Sequence, residues 1–162
     1  MIDSTILKEA PYTHCYCEEN VYLLGRLLLE SATIDETECE VFVAFISNET
    51  KSVLLCRAKD STQEHLIPGY SPVIWDYHVI LILRSTQKGC FVYDFDSRMP
   101  LGCSFEDYFK ATFPFGDGIN QRYQSLFRVI SLANYLDHFA SDRSHMESFF
   151  LSTSIPRFSS FA

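Results

Sequence analysis

Basic residues are scarce in this chain. Thirteen Lys and Arg stand against 21 Asp and Glu, for a formal net charge of -8. Binding along a phosphate backbone needs clustered cations, so nucleic acid and an anionic membrane surface are excluded as main partners. Residues 1–10 (M-I-D-S-T-I-L-K-E-A) lack a cationic start and an apolar centre, so no secretory leader is read there. No apolar run is long enough to cross a bilayer, since the stretch from Val21 to Leu29 is interrupted by Gly25 and Arg26. Metal-type spacing is missing as well. Cys15 and Cys17 stand too close for the usual structural zinc pair, and no second C-x-x-C or H-x-x-x-H follows. A metal held by His14, Cys15 and Cys17 is therefore disfavoured, and no metal or other cofactor is expected. Six cysteines without a leader point to reduced thiols in the cytoplasm, or also the nucleus, rather than a disulfide framework.

What is present is a globular composition. With 47% hydrophobic and 15% aromatic residues over 162 positions, the chain can bury one real core. No internal repeat and no domain boundary is visible, so residues 1–162 are read as one domain. The clearest signal is a β-hairpin between Ile74 and Ser97. I-W-D-Y-H-V-I-L-I-L-R and C-F-V-Y-D-F-D-S flank a short polar segment ending in Gly89. Side chains alternate faces along a strand. If residues 85–89 form the loop, Arg84 pairs with Cys90, Ile80 with Asp94 and His78 with Asp96. His78 then shares a face with both carboxylates, one opposite and one diagonal. Parity supports a His–Asp pair but does not choose between Asp94 and Asp96. A buried histidine held by a carboxylate is also a common purely structural arrangement.

Upstream, Pro11 opens a loop, and from Cys17 the pattern turns helical, with Val21, Leu24 and Leu28 on one stripe. Glu18 and Glu19 suit the first turn of that helix. Cys17 thus falls at a helix start, where free amides and the helix dipole lower a thiol pKa. Cys15 is a rival nucleophile by composition but lies outside the helix. Glu40–Ser47 reads as a strand buried on both faces, and Ser52–Arg57 as its hairpin partner across an Asn48–Lys51 turn. Residues 58–72 form a long polar loop. Ser104 caps a helix whose apolar side carries Phe105, Tyr108, Phe109 and Thr112. A short helix is expected near Ile119–Ser125, then a strand at Leu126–Ile130. Ser131 caps a last helix with Leu132, Tyr135, Leu136 and Phe139 on its apolar face.

Cys17, His78 and one of Asp94 or Asp96 are the set that nucleophilic amide chemistry requires. A thiolate attacks a carbonyl carbon, an imidazole manages the proton, and a carboxylate orients the imidazole. At these residues the sequence resembles the protein N-terminal glutamine amidohydrolases. The matching segments are Y-T-H-C-Y-C-E-E-N-V (12–21), F-I-S-N-E (45–49), P-V-I-W-D-Y-H-V (72–79), V-Y-D-F-D (92–96), F-R-V-I (127–130) and F-A-S-D-R-S-H-M (139–146).

The resemblance implies an α+β fold of papain-like or transglutaminase-like type, a mostly antiparallel sheet with the nucleophile-bearing helix packed on it. It implies a Cys–His–Asp triad of Cys17, His78 and Asp94. The implied reaction converts an N-terminal Gln to Glu in protein substrates, by a monomer, and feeds the N-degron pathway. Glu18 and Asp76 are the candidate carboxylates for the substrate's free α-ammonium. Family members continue after S-D-R-S-H-M with a Trp- and Pro-rich stretch, whereas Trp75 is the sole tryptophan here and residues 147–162 form a divergent tail. That departure motivates one alternative, a shortened form that binds without turnover; a further alternative is a cysteine protease or transglutaminase.

Overall fold

The hairpin forms in the expected register. In the computed structural model, which describes residues 2–31, 34–35, 37–60 and 72–139, strand β4 (Tyr77–Ser85) pairs antiparallel with β5 (Gly89–Tyr93). Arg84 faces Cys90 and Ile82 faces Val92. The turn is one residue shorter at each end than expected, because Ser85 and Gly89 also pair. Gly89 sits at φ +92°, a left-handed conformation that disfavours a side chain.

Around this hairpin lies a five-stranded antiparallel sheet. The elements in chain order are helices α1 (Ser4–Glu9) and α2 (Cys17–Glu30), strands β1 (Cys39–Ser47), β2 (Val53–Leu55) and β3 (Val73–Trp75), then β4 and β5. They continue with β6 (Cys103–Ser104), α3 (Phe105–Thr112), β7 (Leu126–Ser131) and α4 (Leu132–Asp137). The sheet order is β6-β5-β4-β1-β7, and β2 and β3 form a separate pair. Both faces of the central strands are covered, which is why they read as nearly continuous apolar runs. On one face Val43, Val79, Leu81, Leu83 and Tyr93 meet Val21, Leu24 and Leu28 of α2. On the other, Ala44, Ile46, Ile80, Ile82 and Val92 meet Val53, Leu55 and Tyr108. The architecture is α+β with a mostly antiparallel sheet, as expected.

Several local expectations hold for the stated reasons. Ser104 accepts from the Asp107 N–H at 3.1 Å and Ser131 from the Asn134 N–H at 3.3 Å, so both serines cap their helices. Leu132 and Tyr135 are buried on α4. A short 3-10 turn at Gln121–Tyr123 stands where the short helix was expected.

Four details differ. The run from Ile74 to Arg84 is not one strand but breaks at Asp76, with β3 and β4 in different sheets. Asp76 Oδ1 accepts from the Tyr77 N–H at 3.0 Å, a local bond of the kind that competes with a strand ladder. The strand within Ser52–Arg57 does not return along β1. β1 already has β4 and β7 on its two sides, so β2 pairs instead with β3. Asn48 enforces the departure, since its Nδ2 donates to the carbonyls of Ser52, Arg122 and Gln124 at 3.1, 3.0 and 3.0 Å. On α3 the buried stripe is narrower than expected: Tyr108 and Thr112 are buried, but Phe105 and Phe109 are 38% and 39% exposed. Helix α1, capped by Asp3, was not anticipated. The expected loop at 58–72 falls mostly outside the described residues, at 61–71. The F-A-S-D-R-S-H-M segment beyond Phe139 and the tail lie outside them too.

Candidate active site

The first turn of α2 has no side-chain cap of its own, and two other groups hold it. Asn20, 1% exposed, accepts from the Thr13 N–H and donates to the Thr13 carbonyl, each at 2.8 Å, which folds loop 13–16 onto the helix. From α4, the Tyr135 hydroxyl donates to the Glu18 carbonyl at 2.7 Å. Cys17 is therefore delivered from a clamped turn, half-buried.

His78 is the second residue of β4 and is 1% exposed. Its Nε2 lies 3.0 Å from Asp94 Oδ2. The hairpin ladder ends at Leu81–Tyr93, so the expected opposition of His78 and Asp96 is replaced by a turn. In that turn Asp94 Oδ1 accepts from the Asp96 N–H at 2.9 Å, and Oδ2 accepts from the Tyr108 hydroxyl at 2.7 Å. Asp96 stays nearby but accepts from the Tyr12 hydroxyl at 2.6 Å. The indole of Trp75 sits 4.9 Å from the imidazole, centre to centre. Neither ring nitrogen of His78 has an aligned hydrogen bond, so the Asp94 contact is an ion-pair approach with an off-line N–H. Catalytic contacts are commonly loose before substrate tightens them.

Electrostatics couple the three groups. Burial pushes the Cys17 thiol up, and the imidazole and the Val79 amide pull it back without reversing the shift. The expected low thiol pKa at the helix start is thus not met: burial outweighs the imidazole and the amide. Burial would lower His78, but the Asp94 carboxylate and then the Cys17 thiol outweigh it and raise the imidazole well above the usual histidine range. Burial would likewise raise Asp94, but His78 and the Tyr108 hydroxyl hold it low. For Asp96, burial wins and the carboxyl is raised. Both groups therefore hold their protons to higher pH than usual, and their titrations are coupled.

These groups open on a cleft of ≈ 210 Å³ lined by Cys15, Cys17, Asp60, Trp75, Asp76 and His78, among others. Asp76 stands exposed on its wall. Glu18 is buried behind the thiol, its Oε2 3.5 Å from Cys17 Sγ. A second cleft of ≈ 170 Å³ among Phe109, Phe113 and Phe127 carries no thiol, imidazole or carboxylate. Among the described residues, two sets of side chains place potential metal-ligand atoms within 4.8 Å of one another: His78, Asp94 and Asp96, and His14, Cys15 and Asp60.

Sequence reasoning missed Asn20 and the Tyr108 hydroxyl. Tyr108 had a signal, because a tyrosine on a buried helix stripe must place its O–H somewhere.

The family described as N-terminal glutamine amidase matches residues 12–158. Proteins named protein N-terminal glutamine amidohydrolase are similar to this chain. The Homo sapiens protein is 39% identical over 136 residues, 84% of this chain and 62% of the relative. The Danio rerio protein is 41% identical over 139 residues, 84% and 63% of the two chains. The Arabidopsis thaliana protein is 38% identical over 148 residues, 90% and 63%. The chain spans somewhat less than two thirds of the length of these relatives. Every element of the cleft lies inside the matched stretch, and the chain belongs to the N-terminal glutamine amidase family.

Proposed function

We propose that this protein hydrolyses the side-chain amide of an N-terminal glutamine, giving glutamate and ammonia. The observation that carries the reading is the 3.0 Å approach of His78 Nε2 to Asp94 Oδ2, with the Cys17 thiol at a helix start in electrostatic contact with the same ring. In this reading His78 takes the thiol proton as Cys17 Sγ attacks the amide carbon. The tetrahedral intermediate collapses to a thioester, and the imidazolium gives its proton to the departing ammonia. Water, deprotonated by His78, then attacks the thioester, and the thiol leaves reprotonated. Asp94 keeps the imidazole oriented and steadies its positive form. No cofactor takes part. The layout of a nucleophile on a helix with its base on an antiparallel sheet supports a papain-like or transglutaminase-like fold. The proposed setting is a monomer in the cytoplasm, or also the nucleus, acting on proteins that begin with Gln and feeding the N-degron pathway.

The test is intact mass. A Gln-starting peptide gains about one dalton on replacement of NH₂ by OH, whereas a protein that only binds leaves the mass unchanged and a protease cuts the chain. An unchanged peptide over long incubation with folded protein sinks the proposal.

A free α-ammonium must also be told from an acylated nitrogen, and a carboxylate in a partly desolvated cleft is the simplest reader. Asp76 lines the cleft, while Glu18 is buried behind the thiol against Cys17 Sγ. Asp76→Asn is therefore expected to raise KM and to narrow the preference for a Gln peptide over its N-acetylated form by about one to two orders of magnitude in kcat/KM. Glu18→Gln is expected to have the smaller effect on that preference. If both variants fold and still reject the acetylated peptide as strongly as the parent, neither acid reads the terminus.

A further inference from the structure

The clearest group of ligating side chains outside the triad stands at the mouth of the cleft. His14, Cys15 and Asp60 place an imidazole nitrogen, a thiol sulfur and a carboxylate oxygen within 4.8 Å of one another, all three exposed. His14 Nε2 and Asp60 Oδ2 are 3.5 Å apart. The three come from two segments, and each segment is anchored. Loop 13–16 is clamped by the paired bonds between Thr13 and Asn20. The stretch carrying Asp60 is strapped to the turn after β5: the Lys59 N–H donates to the Asp96 carbonyl at 2.7 Å and Lys59 Nζ to the Phe95 carbonyl at 2.6 Å. Ala58 bridges Ser97. Cys15 has φ +63°, a left-handed conformation rare outside glycine.

We propose that His14, Cys15 and Asp60 form a binding site for a divalent cation of the zinc class, and that its occupancy closes the cleft over Cys17. The donor set decides the class. Thiolate, imidazole and carboxylate are zinc's ligands, whereas magnesium and calcium take oxygen. Zinc holds its ligands at about 2.0–2.3 Å, so the exposed side chains need only a modest contraction. Three protein ligands leave a fourth position for water. Cys15 and Asp60 line the same cleft as Cys17 and His78, so an ion bound between them stands where a substrate terminus must enter. The inhibitory consequence rests on the proposed amidase activity, but the binding site does not.

The experiment separates the two. Zinc is titrated calorimetrically into the full chain carrying Cys17→Ser, which removes the nucleophile as a rival ligand. One zinc per chain is expected, and adding His14→Ala, at an exposed side chain that does not line the cleft, should weaken binding by about tenfold or more. In the chain with Cys17 intact, zinc should inhibit turnover of a Gln peptide. His14→Ala, equal to the parent without zinc, should need a correspondingly higher zinc concentration for half-inhibition. Cobalt(II) gives a thiolate charge-transfer band in the Cys17→Ser chain that Cys15→Ser should abolish. No zinc bound, or equal affinity with and without His14, overturns the site. Binding that depends on His14 alongside inhibition that does not places the inhibitory ion on His78 and its carboxylates instead, and overturns the closure. If the chain proves inactive, calorimetry and the cobalt band still decide the site.

Discussion

Cys17→Ala is expected to abolish deamidation of a Gln-starting peptide, while Cys15→Ala keeps most of it. The two thiols lie two residues apart and both reach the cleft, so proximity does not separate them. Their surroundings do. Cys17 opens α2, and the His78 imidazole and the Val79 amide both pull its thiol pKa down against burial. Cys15 sits before the helix; burial and then the carboxylates of Asp60 and Asp96 raise its thiol, with no imidazole or amide pulling it back. Loss of a triad nucleophile costs on the order of 10⁶ in kcat where it has been measured in a serine enzyme, which here means a product signal lost on the timescale of the parent's assay. The assay is product mass against time at equal folded fraction, with circular dichroism as the folding control. Equal loss in the two variants contradicts the assignment of Cys17.

Asp94→Asn is expected to cost far more rate than Asp96→Asn, on the order of 10⁴ by analogy with a serine triad whose Asn holds the wrong tautomer. Asp94 Oδ2 is 3.0 Å from His78 Nε2, whereas Asp96 spends its Oδ1 on the Tyr12 hydroxyl. The pH profile supplies a second readout. His78 and Cys17 are both raised, so the parent's kcat/KM should climb toward alkaline pH as the pair loses the first of its two protons. The Asp94 charge favours the protonated imidazole, so removing it makes each proton easier to lose. The rising limb of Asp94→Asn must therefore move to lower pH, and that of Asp96→Asn should move less. A greater loss in Asp96→Asn, or a limb that moves up, makes Asp96 the orienting acid.

The parts legible in the sequence were those governed by local periodicity. Strand alternation fixed which residues of β4 and β5 could face one another, and capping serines marked the starts of α3 and α4. The helix start at Cys17 followed from the stripe of Val21, Leu24 and Leu28. The rest depended on distant partners. Nothing around Ser52 announces that β1 is already flanked by β7, a pairing of Ser47 with Leu126 across 79 positions (126 − 47). The break at Asp76 hides because β-branched and aromatic residues continue on both sides of it. Parity placed both aspartates on the His78 face, but the choice between them rests on a turn that begins where the ladder stops. The clamp by Asn20 pairs a side chain with a backbone seven residues earlier, a bond without a residue-type signature.

The dispersal of the site along the chain has a consequence during synthesis. Cys17 and His78 are separated by 61 residues (78 − 17), and at about 5–20 residues per second the thiol precedes its imidazole by roughly 3–12 s. Asp94 comes later still, and the Tyr108 hydroxyl that braces it later again. α2 also has no sheet to lie on until β1 and β4 have paired. In that interval the thiol is an ordinary exposed cysteine, open to oxidants and without a proton acceptor. A ribosome-bound chain is therefore chemically vulnerable before it is competent, and the window closes only when the second half of the hairpin has been made.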